Sequence, residues 1–157
     1  MDLTVNLEDY LLNIRAAAII VHNNKVLVHR NVNSDHYALL GGRVKIGEDS
    51  ETTVIREILE EIGKKVEVTG YVATIENFFE MKNKKYHEIL FVHKAEFEKE
   101  EDRKLEKTIK NAEGKEYLQY EWLEIDKLNN YNLLPNSIKN ILQEGKFPIH
   151  KINNELN

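Results

Sequence analysis

No cysteine occurs in the 157 residues. That excludes a disulfide framework, a thiolate zinc site and a cysteine nucleophile, so any metal chemistry must use oxygen or imidazole donors. Long apolar runs are missing too: nothing approaches the roughly 18 residues that a membrane span needs. The opening stretch, MDLTVNLEDYLLNIR, scatters acids among its apolar residues and has no basic segment ahead of an apolar core, so it does not read as a secretion signal. A cytoplasmic protein, without a membrane partner, is the expectation. Excess positive charge is also lacking. With 22 Lys and Arg against 27 Asp and Glu, the formal net charge is −5. This argues against a polymeric nucleic-acid partner, because such binding depends on neutralising many phosphates. An acidic protein can still hold a small polyphosphate through a bridging cation.

What is present fits one ordinary domain, 1–157. Hydrophobic residues make up 41% and charged residues 31%, inside the globular range, and a chain of this length buries about two thirds of its unfolded surface without staples. Residues 14–30, IRAAAIIVHNNKVLVHR, carry two apolar runs separated by His22-Asn23-Asn24, and Asn tolerates the positive φ of a tight turn, so a β-hairpin is predicted. Tyr37 to Leu40 reads as a strand running into a Gly41-Gly42 loop, and Asp49 to Ile62 as a helix stopped by Gly63. Val66 to Phe79 and Tyr86 to Phe97 read as long paired strands joined by the polar turn 81–85. The segment 98–116 holds seven acids and six bases with few apolar residues, and is expected to be an exposed, mobile excursion. Tyr117 to Leu123 is a further strand. Pro135-Asn136-Ser137 supplies a break and an N-cap before a terminal helix containing Ile138, Ile141 and Leu142, with Gly145 as its C-cap. Strands dominate, with two helices among them. A mixed sheet carrying a helix on each face is the expected α/β architecture. Residues 1–13 read as a short extension whose Leu3, Val5, Leu7, Leu11 and Leu12 could cover a partner, which would make a homodimer possible.

The chemistry concentrates on the first helix. At 100° per residue, Val54, Ile55, Ile58, Leu59 and Ile62 share one face while Glu57, Glu60 and Glu61 share another. Glu57 and Glu61 are like charges four apart, which costs an isolated helix roughly 0.2–0.5 kcal/mol; a hard divalent cation would offset that repulsion. Gly41-Gly42 lets backbone approach a ligand or metal closely. Glutamates at such spacing are by themselves more often a solvated face. The whole string, GRVKIGEDSETTVIREILEEIGK from Gly42 to Lys64, decides otherwise.

That string resembles the Nudix box, matching it at Gly42, Glu48, Arg56, Glu57, Ile58, Glu60, Glu61 and Gly63. Eight such positions arise by accident in a chain of this length with odds on the order of one in a million or less. The LLGG entry, the stretch NFFEMKNKKYHEILFVHKAEF and YEWLEIDKL followed by Pro135 also look like the usual Nudix layout, so the resemblance covers most of residues 14–145. It implies an α/β/α sandwich with a mixed sheet, and a Mg²⁺-dependent enzyme, with Mn²⁺ able to stand in, that hydrolyses a phosphoanhydride in a nucleoside diphosphate derivative such as an NTP or a nucleotide sugar. It implies Glu57, Glu60 and Glu61 as metal-binding carboxylates, with the Gly41 carbonyl as a further ligand. Arg56 would orient an acid, and Glu48 would pair with Arg56 or reach a second metal through water. The water proton would go to Glu57 or to a carboxylate on a distal loop. Lys64 and Leu40 depart from the box and its entry, where an apolar residue and a proline are usual; Lys64 gives up a small packing contact and Leu40 some loop rigidity, and neither change removes a ligand.

Outside the box, Glu88 is a candidate extra ligand, base or substrate contact, with Glu76 and Glu80 weaker versions of the same idea. Arg30 could meet a phosphate. Tyr37, Phe78, Phe79 and Trp122 could stack on a base or sugar, or belong to the core. The six histidines show no paired ligand spacing and are assigned to surface or structure. A Nudix-like module that binds a nucleotide metabolite without cutting it is the alternative; it would be expected to have lost one of Arg56, Glu57, Glu60 or Glu61, and all four are present.

Overall fold

The computed structural model describes residues 1–104 and 108–156. Its strands are β1 (Thr4–Leu7), β2 (Tyr10–Ile19), β3 (Val21–His22), β4 (Lys25–Asn31), β5 (Ala38–Arg43), β6 (Val66–Met81), β7 (Lys84–Phe97), β8 (Leu118–Glu124) and β9 (Ile149–Asn154). The helices are α1 (Ser50–Ile62) and α2 (Ser137–Glu144). The strands form one sheet ordered β3-β4-β5-β2-β7-β6-β9, with β1 on β2 and β8 on β4. The β2–β7 and β6–β9 pairs are parallel and the others antiparallel, so the sheet is mixed, as expected.

Both faces are covered. Ala16, Ala18, Ile20, Leu27, Leu40 and Phe97 pack with Val54, Ile58 and Ile62 of α1; Ala17, Ile19, Val26, Val28, Leu39, Ile75, Leu90 and Val92 pack with Ile138 and Ile141 of α2. A strand buried on both sides reads as a continuous apolar run. Residues 16–20, AAAII, are such a run, and all five are buried.

Local chemistry explains the turns. Asn23 and Asn24 lie at φ +49 and +58, the doubly left-handed geometry of a two-residue hairpin that Asn accepts at low cost. The β6–β7 turn is equally tight, at Lys82 (φ +51) and Asn83 (φ +62), so each strand runs closer to the turn than 66–79 and 86–97.

Several expectations need correction. Gly41 and Gly42 belong to strand β5 and not to a loop; the loop to α1 begins after Arg43. Residues 1–13 join the sheet: β1 and the start of β2 form a hairpin, β2 runs parallel to β7 from Tyr10 onward, and Leu3, Leu11 and Leu12 are half-buried, leaving only Val5 and Leu7 of the five apolar side chains exposed. The Asn136 side chain makes no cap hydrogen bond. Nor is the charged excursion wholly exposed. Ile109 is buried against α1's core, the Ala112 N–H donates to the Glu61 carbonyl at 2.7 Å, and Asn111 Nδ2 donates to the Tyr120 hydroxyl at 2.9 Å. One isoleucine and a few backbone bonds are enough to lay this polar segment along the end of α1. Residues 105–107 of it lie outside the described residues.

A row of polar side chains crosses the α2 face at one level. Thr4, Asn13, Glu88, Asn77 and Asn153 are successive register partners on β1, β2, β7, β6 and β9. Thr4 Oγ1 donates to Asn13 Oδ1 at 2.8 Å, Asn77 Nδ2 to Glu88 Oε1 at 3.4 Å, and Asn153 Nδ2 to Asn77 Oδ1 at 2.9 Å. Asn13, Asn77 and Glu88 are buried.

Candidate functional site

Helix α1 is fixed at both ends. Asp49 caps its start, accepting from the Thr52 N–H at 2.7 Å, and Gly63, at φ +69, closes it with a bond from its N–H to the Leu59 carbonyl. Thr53, Val54, Ile58, Glu61 and Ile62 face inward. Ile55 and Leu59, expected on the buried face, are 39% and 42% exposed. The helix meets the sheet along a narrower stripe than the apolar arc offers, and it turns Glu61 in instead.

Arg56 gathers the acids. Its Nε and Nη2 donate to Glu48 at 2.7 and 2.8 Å, its Nη1 to Glu57 at 2.7 Å and Glu60 at 3.3 Å, and its Nη2 also to the Arg43 carbonyl at 3.1 Å. A planar guanidinium is suited to holding several carboxylates at once. The hydrogen bonds from Arg56 hold the Glu48 carboxyl down to about 2, helped by the Thr53 hydroxyl against its burial. Glu48 therefore pairs with Arg56, one of the two roles expected of it.

Glu57 sits differently. Burial pushes its carboxyl above the usual range, with the neighbouring Glu60 and Glu61 adding to the effect and Arg56 opposing it. Its carboxylate lies directly over the α-carbon of Gly42: a β-carbon there would stand 2.2 Å from Glu57 Cδ and 2.5 Å from each oxygen. Gly41 is bare for another reason, since its β-carbon would meet the Ala16 carbonyl oxygen at 2.1 Å and the Ala17 α-carbon at 2.7 Å. The two glycines thus serve separate ends, one admitting a carboxylate and the other admitting strand β2.

Glu61 is 7% exposed and held from the sheet side. His29 Nδ1 lies 2.5 Å from Glu61 Oε1, and the Tyr120 hydroxyl donates to the same oxygen at 3.0 Å. Burial, with the adjacent Glu61 charge, pushes the Tyr120 phenol well above its ordinary value, which keeps its proton in place to donate. Assigning all histidines to surface or structure missed this contact. The signal was available: on a strand, Leu27 and His29 share a face, and Leu27 is apolar and faces α1.

The donors suit a hard divalent cation. All are oxygens, Glu57 is a half-buried carboxylate crowded by two like charges, and the missing β-carbon of Gly42 leaves its head room beside the backbone. Glu57, Glu60 and Glu61, with the Gly41 carbonyl, could hold such an ion. Among the described residues, however, no three His, Asp or Glu side chains stand ready to close on one: Arg56 draws Glu57 and Glu60, while His29 and Tyr120 hold Glu61.

The sequence matches the NUDIX domain family over residues 12–144. The chain belongs to the Nudix hydrolase family. Solved structures sharing its fold include a UDP-X diphosphatase (23% identity, TM-score 0.63, covering 88% of this chain and 66% of that one). A MutT protein from Methanosarcina mazei Go1 (23%, TM-score 0.59, 88% and 95%) and an ADP-ribose pyrophosphatase from Streptococcus suis 89-1591 (14%, TM-score 0.57, 88% and 98%) share it as well. This chain thus spans just under two thirds of the UDP-X diphosphatase. No curated protein matches the sequence.

Within this Nudix fold, the unusual Lys64 is more than a lost packing contact: its ammonium pairs with Asp102 at 2.8 Å and ties the excursion to the end of α1. The candidates outside the box separate. Arg30 donates to Gln119 at 3.0 Å, lies 3.7 Å from Glu121 and covers the Tyr37 ring, whose hydroxyl donates to Glu121. Glu76 pairs with His150. Phe78 packs on His87, and Trp122 against the α1-side core with an edge contact to His22. Glu88 and Phe79 line a cavity of about 310 Å³ on the α2 face, which Glu80 also borders. They are therefore not beside Glu57, Glu60 and Glu61; the sheet lies between. No helix among the described residues is long and apolar enough to cross a membrane.

Proposed function

We propose that this Nudix hydrolase is a Mg²⁺-dependent pyrophosphohydrolase that cleaves a phosphoanhydride bond in a nucleoside diphosphate derivative by attack of water at phosphorus. The observation that carries this reading is the Glu57 carboxylate, half-buried, crowded by Glu60 and Glu61, and lying against a glycine that leaves its head space. A bound Mg²⁺ supplies charge for the phosphate oxygens and raises the fraction of hydroxide at neutral pH. Glu57, Glu60, Glu61 and the Gly41 carbonyl would hold it, with Mn²⁺ able to replace it. Arg56 keeps Glu48, Glu57 and Glu60 in one orientation and neutralises part of their charge. His29 and Tyr120 fix the rotamer of Glu61. Glu57, whose carboxyl is pushed up by burial, is suited to take the proton of the attacking water.

The test is a phosphate-release screen with Mg²⁺ over NTPs, ADP-ribose, nucleotide sugars and dinucleoside polyphosphates, with pyrophosphatase and phosphatase in separate coupled arms. Turnover of one class, lost on removing the metal, is expected, and the responding arm identifies the bond cut. Silence across the panel with Mg²⁺ binding intact would favour a nucleotide-binding module that does not cut.

A further inference from the structure

Part of the charged excursion lies against the end of α1, beside Glu61, the box glutamate that is held from the sheet side. The Ala112 N–H donates to the Glu61 main-chain carbonyl at 2.7 Å, one of the carbonyls that the last turn of a helix leaves without a partner. Ile109 anchors the same segment in the α1-side core. Between these two anchors stands Asn111. Its side chain is fixed by its own chain, because Oδ1 accepts from the Glu113 N–H at 2.9 Å and from the Lys115 N–H at 3.1 Å. Both N–H groups need the oxygen end of the amide, so the nitrogen end is the one turned away from the loop. It donates to the Tyr120 hydroxyl at 2.9 Å.

A phenol has one proton, and its oxygen can accept as well as donate. With Asn111 donating to that oxygen, the phenol proton is left to give, and Glu61 Oε1 receives it at 3.0 Å. Tyr120 is 7% exposed, which limits the water that could take the proton instead. His29, the register partner of Tyr120 on β4, comes to the same carboxylate oxygen. Both contacts therefore fall on Oε1, while Oε2 accepts no hydrogen bond from the described residues. The conformation of a turn in a polar segment is thus passed through one phenol to one carboxylate.

We infer that Asn111 is a positioning residue of the metal site: by donating to Tyr120 it directs the phenol proton onto Glu61 Oε1 and leaves the other Glu61 oxygen for a divalent cation. The inference rests on the proposed role of Glu61 as a metal-binding carboxylate. Groups that hydrogen-bond a ligand set its orientation, and losing one commonly weakens metal affinity about 10–100-fold. The excursion is then part of the scaffold of the site.

Titration of the full chain with Mn²⁺, the free ion being counted by its electron-spin resonance signal, tests this without substrate. Asn111→Asp keeps an oxygen for the two backbone N–H groups but sets a second acceptor, in place of the donor, against Tyr120, and so draws the phenol proton away from Glu61. Mn²⁺ affinity should fall about tenfold, against the direction in which an added negative charge alone would move it. In the Tyr120→Phe background no phenol proton remains to be redirected, and the same change should not weaken binding. This comparison separates the hydrogen-bonded chain from a general effect on the fold, and thermal melting without metal checks that each variant is folded. Asn111→Ala, compared across the same two backgrounds, removes the donor without adding a charge and gives the test if the Asp variant does not fold. Parent-like affinity in a folded Asn111→Asp, or an equal loss in both backgrounds, overturns the inference and leaves the hydrolase reading standing. The expected pattern with no turnover in the substrate screen sinks the hydrolase reading alone, and no Mn²⁺ binding by the parent overturns both.

Discussion

Replacing each glycine of the pair with alanine separates a site function from a sheet function. In Gly42→Ala the new β-carbon falls 2.2 to 2.5 Å from three atoms of the Glu57 carboxylate. The carboxylate is the free end of a flexible side chain, so the clash is relieved by moving it about 1 Å to ordinary contact distance. That motion removes Glu57 from the 2.7 Å bond with Arg56 and from its place above the strand. Stability should change little, with Tm within about 3 °C of the parent, because the backbone keeps its conformation and alanine gives up less chain entropy than glycine. Turnover should fall about a hundredfold, the usual consequence of misplacing a reacting group by that distance. In Gly41→Ala the obstacles are the Ala16 carbonyl oxygen and the Ala17 α-carbon, both backbone at the centre of β2, and only parting the strands relieves them. The cost should be about 3 kcal/mol or more, on the order of 10 °C in Tm for a chain of this size. Thermal melting and phosphate release on the two variants give the answer. A fully active Gly42→Ala, or a Gly41→Ala as stable as the parent, would refute the reasoning.

The remaining predictions address charge and packing. Glu57→Gln and Glu61→Gln should each lower turnover by several orders of magnitude, and Mg²⁺ should raise the Tm of the parent more than that of the double variant, by the linkage between ion binding and folding; equal shifts would place the ion elsewhere. The Glu48 carboxyl, held at about 2 by Arg56 against an ordinary 4.5, contributes stability that is fully present above pH 4.5 and is lost as the pH falls towards 2. Urea midpoints between pH 5 and pH 3 should therefore fall more steeply for the parent than for Glu48→Gln, and parallel slopes would contradict the assignment. Ile109→Ser should cost about 2 kcal/mol if the excursion is packed as described, whereas a negligible change in Tm would mean that it contributes nothing to the core.

Patterns carried by neighbouring residues were readable in the sequence, and patterns carried across strands were not. Asn23-Asn24, the capped helix from Asp49 to Gly63 and the β-branched runs of β6 and β7 each announce themselves within a few positions. So did the spacing of Arg56, Glu57, Glu60 and Glu61. Strand β9 was missed because IHKINN lacks a strong apolar alternation and is held by pairing with β6, whereas β1 does carry one, at Leu3, Val5 and Leu7, but over too few residues to separate a strand from an extension without its pairing to β2. Ile55 and Leu59 were misplaced because an apolar arc on a helix says how much surface is available to bury, while the sheet decides how much is covered. His29 and Tyr120 reach Glu61 from strands 32 and 59 residues away in sequence, a distance no local pattern bridges. Lys64 looked like a mere departure from the box because its partner, Asp102, stands in a segment whose charges look solvated.

The polar row from Thr4 to Asn153 has a consequence for how the sheet assembles. Apolar strands buried between two layers slide past one another at little cost, since one valine or isoleucine contact resembles the next. Shifting β1 or β9 by one residue would turn its polar member to the wrong face, and shifting it by two would bring Asp2 or Asn6 against Asn13, or Lys151 or Glu155 against Asn77, in place of the partners that make the present hydrogen bonds. Thr4 and Asn153, at the two ends of the row, therefore act as keys that admit the first and last strands of the chain in one alignment. A sheet whose edges come from opposite ends of the sequence is thereby brought to a single registration.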